Sequence, residues 1–164
     1  MLEIFERKCK LRSANNKREI HGDENVLAIY LSFEWIAPNT ELERIGRGLL
    51  AALYRKGDVP VEDLPGIDAK LTALKFPTLT VLTFEDKHEH MAFTIHQGGP
   101  GHDLTLDECL VDCVSIGPKD GGTSTVRFRV RTHPKDSKTA GMLCNLLVNG
   151  DITVSVAAME SEAA

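Results

Sequence analysis

Between residues 126 and 131 the chain reads Val-Arg-Phe-Arg-Val-Arg, directly after an Asp120-Gly121-Gly122 turn signal. Alternation at period two puts Val126, Phe128 and Val130 on one face of a strand and Arg127, Arg129 and Arg131 on the other. The apolar face demands a sheet with a covered side. The guanidinium row demands acids, phosphate or water. Few chains with this pattern can be anything but a half-buried antiparallel sheet.

The rest of the chain repeats that demand. From Val26 to Ile36, Leu27, Ile29, Leu31, Phe33 and Trp35 share one face, with Ala28, Tyr30, Ser32 and Glu34 on the other. Residues 2–12 read as a strand with Lys8, Lys10 and Arg12 outward and Cys9 and Leu11 inward, broken by Asn15-Asn16-Lys17-Arg18. After Ala37-Pro38 the period becomes helical. Leu42, Ile45, Leu49, Ala52 and Leu53 form a stripe, Thr40 and Glu43 fit a capping box, and Gly57 stops a helix expected over 40–56. Residues 57–76, with Pro60, Pro65 and Gly66, read as a long connection with room for one helical turn.

Strands are expected again at Thr78–Phe84 and Met91–Gln97, followed by hairpins at Gly98-Gly99-Pro100-Gly101 and at 120–122. A helix over 137–147 starts at Asp136 or Ser137, buries Leu143, Leu146 and Leu147, and stops at Asn149-Gly150; a last strand holds Ile152, Val154 and Val156. The expected fold is mainly β: an antiparallel β-sandwich or open barrel of about seven strands with two helices. The expectation is one domain over 1–158 and a frayed acidic tail over 159–164.

Register extends the reading. If Gly99 and Pro100 close the first hairpin, Ile95 meets Leu104 and Phe93 meets Leu106. A three-residue loop at 120–122 pairs Ile116 with Val126 and Val114 with Phe128. The outer face then collects His88, His90, His96, Asp103, Cys109 and Cys113 together with the arginines. Glu108 and Asp112 fall on the apolar side in this register, so a bulge is expected near 107–109.

Composition excludes some functions. The formal charge of −5, from 24 acids against 19 bases, argues against coating duplex nucleic acid through bulk charge, so any such binding requires a local patch. No apolar run approaches the ~18 residues of a membrane span, and the N-terminus is charged within three residues. A soluble protein of the cytoplasm is expected. Four cysteines without a CxxC pair are expected to stay reduced.

Catalytic and metal signatures are weak. His88 and His90 stand about 7 Å apart along a strand and Cys109 could lie opposite His90, which outlines a zinc site and a rival reading as a small metal-dependent hydrolase. Cys109 and Cys113 would be about 13 Å apart on an unbroken strand, so the ligand set stays incomplete. No metal and no cofactor are therefore expected. His96 opposite Asp103 reads as a cross-strand polar pair, because nothing supplies a nucleophile elbow. Gly98-Gly99-Pro100-Gly101 lacks the Lys-Ser/Thr and helix of a phosphate loop.

The segment Leu74-Lys75-Phe76-Pro77-Thr78-Leu79, the Asp107-Glu108-Cys109-Leu110-Val111-Asp112 strand, the Gly121-Gly122-Thr123 hairpin and the Thr139-Ala140-Gly141-Met142-Leu143 helix resemble small phage and prophage proteins of unassigned role. The resemblance spans roughly residues 45–158 and its motifs are structural. It implies an early-region accessory in phage DNA metabolism or in interference with host defence. With the arginine row, the expectation becomes a non-enzymatic protein that binds single-stranded nucleic acid or a host protein handling it. Its binding residues would be Arg127, Arg129 and Arg131, then Lys8, Lys10 and Arg12. A salt-bridged arginine row and a structural homo-oligomer built on helix 40–56 remain the other readings.

Overall fold

The computed structural model describes residues 2–99 and 101–160. Its main strands are β1 (Ile4–His21), β2 (Glu24–Pro38), β6 (His88–His96), β7 (Leu104–Lys119), β8 (Thr123–Thr132) and β9 (Asp151–Ala158). They run in the order β7-β6-β9-β1-β2-β8, and a β7–β8 ladder joins the two ends. The result is a closed six-stranded antiparallel barrel. A short strand β5 (Leu82–Thr83) adds to β7, and β3 (Tyr54–Arg55) pairs with β4 (Ala73–Leu74) beside it. The mainly β antiparallel fold expected forms, as a barrel that is closed where an open one was the expectation, because the β7–β8 ladder leaves neither strand as a free edge.

The interior is filled by the apolar faces read from the sequence. Ile29, Leu31, Phe33 and Trp35 of β2 meet Val126, Phe128 and Val130 of β8, all buried. Phe33 stacks on Phe128 with ring centroids 5.2 Å apart and lies 5.6 Å from Phe93. Each such ring contributes roughly 1.5–3 kcal/mol on burial, so this aromatic cluster anchors the register of three strands. Three of the expected hairpin pairings hold: Phe93 faces Leu106, Ile95 faces Leu104, and Ile116 faces Val126, whereas the expected Val114–Phe128 pairing falls in the slip between Asp112 and Ser115. The ladder slips once between Cys109 and Leu106, where Glu108 has a positive φ of 56°, and again between Asp112 and Ser115, where Cys113 has 53°.

Several elements depart from expectation. The run Asn15-Asn16-Lys17-Arg18 does not end β1; it pairs residue by residue with β2 as far as His21 opposite Glu24. That leaves Gly22-Asp23 as a two-residue turn with Gly22 at φ 64°. Residues 15–18 are exposed, so their polarity marks a hairpin that projects into water rather than a break. Leu27, expected inside, is 41% exposed on the same projection.

The helix expected over 40–56 is two short ones, α1 (Leu42–Ile45) and α2 (Leu49–Leu53), after a 3-10 turn at Asn39–Glu41. Gly46 is extended and Gly48 left-handed at φ 87°. Two glycines within three residues remove about 2 kcal/mol of helix propensity, enough to split a helix this exposed. There is no capping box: Thr40 Oγ1 donates to the Gly66 carbonyl at 2.6 Å, while Glu43 accepts from the amides of Gly48 and Leu50 and caps α2. Ala52 is exposed, so the stripe buries Leu42 and Leu53 only.

The connection over 57–76 contains no helical turn. Buried Asn39 organises it, donating to the carbonyls of Asp68 and Leu71 and accepting from the Asp68 amide. The strand expected at Thr78–Phe84 shrinks to Leu82–Thr83. The last helix, α3 (Ser137–Asn145), is capped by Asp136, which accepts from the Thr139 amide at 2.7 Å. A 3-10 turn (Leu146–Asn149) continues it, and Leu147, expected inside, is 42% exposed. Of the tail expected to fray, Met159 donates its amide to the His90 carbonyl at 3.0 Å, while 161–164 lie outside the described residues, as does Pro100 of the first turn.

Candidate functional site

Strand β8 lies between β2 and β7, so its outward residues meet side chains from both neighbours. Arg127 stands opposite Glu34 and Ser115, Arg129 opposite Ser32 and Asp112, and Arg131 opposite Tyr30 and Leu110. The three guanidinium groups do share the outer face. Each also has an acid.

Arg127 Nε donates to Glu34 Oε2 at 2.9 Å, and Arg12 Nη1, from β1, donates to the other oxygen of Glu34 at 3.1 Å. Arg129 binds Asp112 through two parallel bonds of 2.8 and 2.7 Å and lies 5.0 Å over the Tyr30 ring. Asp112 is 8% exposed at its side chain. Burial works against its ionisation, but the Arg129 fork outweighs that and holds its carboxyl below the usual range. Arg131 Nη1 lies 3.8 Å from Glu19 Oε1, and its Nε is buried with no hydrogen-bond partner among the described residues.

The second basic strand is present as expected. Lys8 and Lys10 are exposed on β1; Lys8 Nζ lies 3.5 Å from Asp151, and Lys10 stands between Glu34 and Asp151 in the two ladders. The structure therefore joins the two basic strands at one carboxylate, Glu34. Around it Lys8, Lys10, Arg12 and Arg127 outnumber Glu6, Glu34 and Asp151, and Ile36 adds an apolar surface 60% exposed. Arg129 and Arg131 lie further along, committed to their own acids.

The histidine–cysteine set does not assemble. Cys109 faces Met91 rather than His90 and is 1% exposed, inside the barrel, because the bulge at Glu108 turns it inward. Burial pushes its thiol up to about 11. His90, itself on a bulge at φ 55°, pairs instead with Glu108 at 2.6 Å on the surface, a contact that raises its pKa. His88 stands opposite Val111. His96 does meet Asp103, at 3.0 Å, and its other nitrogen lies 2.7 Å from Ser155 Oγ.

One cluster escaped the sequence reading. Glu19 Oε2 accepts from His133 Nε2 at 2.8 Å and from His21 Nε2 at 3.0 Å, while Oε1 accepts from the Tyr30 hydroxyl at 2.7 Å. These bonds, His133 first, pull the Glu19 carboxyl down to about 2. Glu19 and His21 fall beyond the expected strand break, and His133 follows the last residue of β8. The available signal was the Glu19-x-His21 spacing, which puts both side chains on one face of a continuous strand.

No protein-family model, curated protein or solved structure matches the chain. Among the described residues no helix is long and apolar enough to cross a membrane.

Proposed function

We propose that the protein is a non-enzymatic binding module, a phage-type accessory of nucleic-acid metabolism, that takes a single-stranded nucleic acid across the outer face of the barrel at β1, β2 and β8. The observation that carries this reading is the convergence of Arg12 and Arg127 on Glu34, which merges the two basic strands into one surface with Lys8 and Lys10. An acid between two guanidinium groups orients both without neutralising both. A phosphate arriving there finds forked donors already positioned. The exposed Ile36 offers the bases an apolar contact beside them. In a chain of net charge −5 such binding is local and salt-sensitive.

Fluorescence anisotropy with labelled single-stranded DNA and RNA oligonucleotides tests it. Wild type should bind at low salt, and changing Lys8, Lys10 and Arg127 together to Gln should weaken binding at least about tenfold. The slope of log affinity against log salt should become shallower by about 2, at roughly 0.7 per lost phosphate contact. Arg129 and Arg131 are left in place, since altering them disturbs paired acids. No binding by folded wild type, or equal binding by the folded triple variant, refutes the proposal. A partner captured from host lysate that survives nuclease treatment, with no oligonucleotide bound, makes the face a protein-binding one.

A further inference from the structure

We infer that Glu19, His21 and His133 form a binding site for one divalent transition-metal ion of the zinc class, built where the projecting β1–β2 hairpin meets the end of β8. Their ligand atoms all lie within 4.8 Å of one another. The geometry is more specific than proximity. Both imidazoles turn the same nitrogen, Nε2, toward the same oxygen, Oε2 of Glu19, at 3.0 and 2.8 Å. Ligand atoms on a tetrahedral zinc with bonds of ~2.0–2.1 Å sit about 3.4 Å apart, so each carboxylate–imidazole contact needs to open by only about half an ångström, with the two imidazole nitrogens already within 4.8 Å of each other. His21 is the member with room to adjust, half exposed at the end of its hairpin beside the Gly22 turn.

The division of labour on Glu19 is the second observation. Its Oε1 is held by the Tyr30 hydroxyl at 2.7 Å with Arg131 3.8 Å away, while Oε2 faces the two rings. A carboxylate fixed by outer-shell donors through one oxygen, and presenting the other to two imidazole nitrogens, is the arrangement of a monodentate metal ligand. Its low pKa keeps it anionic throughout the neutral range. Because Oε2 accepts only, each ring presents N–H at Nε2 in the metal-free protein; when an ion takes Nε2, a neutral ring carries its proton on Nδ1 instead and a protonated ring releases one proton to solvent. The Arg131 charge lowers affinity for a cation but acts on the far oxygen.

Two imidazoles and one carboxylate suit zinc and its borderline neighbours cobalt and nickel, and do not suit magnesium or calcium. Three protein ligands with His21 open to water leave a fourth position for solvent or an anionic donor. The site spans residues 114 apart in sequence, so an ion there clamps the hairpin to the barrel.

The protein stripped with chelator and titrated with zinc and with cobalt tests the inference. Native mass spectrometry should show one zinc per chain. Cobalt should give the visible absorption of a tetrahedral site, affinity should fall as pH is lowered, and zinc should raise the melting temperature. His21→Ala should weaken binding more than about tenfold and Tyr30→Phe about tenfold, as losses of a ligand and of an outer-shell partner do. Cys113→Ser and His96→Gln should bind as wild type. Folded wild type that takes up no stoichiometric zinc overturns the inference, and so does undiminished binding by His21→Ala. His21 lies at a solvent-exposed hairpin end, so that variant should keep the wild-type fold; if it does not, His133→Gln gives the same readout.

Discussion

Replacing Arg129 with Gln, and separately Arg127 with Gln, should split the arginine row into one member that holds the barrel together and one that does not. Arg129 makes two charge-assisted bonds to Asp112, whose side chain is 8% exposed. Hydrogen bonds to charged groups contribute about 1.5–3 kcal/mol, and stranding a fully buried partner costs about 3–5 kcal/mol. The Arg129 side chain is 35% exposed, so water reaches the pair and screens part of this. The expected loss is about 2–3 kcal/mol, or roughly 5–10 °C in melting temperature for a chain of this size.

Arg127 is different: it is 56% exposed, and Glu34 keeps Arg12 when Arg127 is removed. Its loss should stay within about 1 kcal/mol. Urea unfolding followed by the fluorescence of Trp35, the single tryptophan, reports both. Asp112→Asn in the Arg129→Gln background should recover part of the loss, since the stranded charge is gone. The pH sign follows from the lowered Asp112 pKa: the pair's stabilisation is full above the ordinary carboxylate range and is lost as pH falls through the lower folded value. An Arg129→Gln protein within about 0.5 kcal/mol of wild type, or equal losses from both variants, refutes the reasoning.

Glu19→Gln should flatten the acid limb of the stability profile, because the carboxyl is drawn from 4.5 to about 2 by His133, Tyr30 and His21, and its contribution is lost as pH falls between those values; melting temperature against pH checks it. Tyr54→Phe should cost about 1–3 kcal/mol by urea unfolding, since the buried hydroxyl lies 2.9 and 2.7 Å from the carbonyls of Lys119 and Thr123 and accepts from the Lys119 amide. Gly122→Ala should lower the melting temperature sharply, because φ is 91° and a Cβ would lie 2.6 Å from Ile67 Cγ2. Gly141→Ala, in α3 with open space around it, should instead stabilise by roughly 0.5–1 kcal/mol.

What was legible in the sequence is what alternation encodes. Ile29, Leu31, Phe33, Val126, Phe128 and Val130 are all interior, and hairpin loop lengths gave the Phe93–Leu106 and Ile116–Val126 pairings. The bulge at Glu108 was readable as a conflict between register and charge. What alternation does not encode is what lies beyond the plane of a strand. Unbroken alternation puts Cys109 outward, but the bulge at Glu108 shifts it by one position, and one position reverses the face. The 40–56 helix failed because Leu42 and Leu53 carry a helical spacing that two glycines prevent from being one helix.

The arginine row shows the limit most directly. Period two gives the face of Arg127, Arg129 and Arg131 and is silent on what stands across from them. Their acids come from three strands: Glu34 of β2, Asp112 of β7 and Glu19 of β1. Asp112 is the telling case, since a lone acid in an apolar run read as a register fault, whereas the bulge at Cys113 carries it to Arg129. A charged residue that breaks the pattern of one strand can thus be the partner of a charged residue that keeps the pattern of the next. On that logic the row divides: Arg129 binds two strands to each other, Arg131 leans on the Glu19 cluster, and Arg127, which shares its acid with Arg12, is the member that the proposed nucleic-acid reading leaves to meet a phosphate.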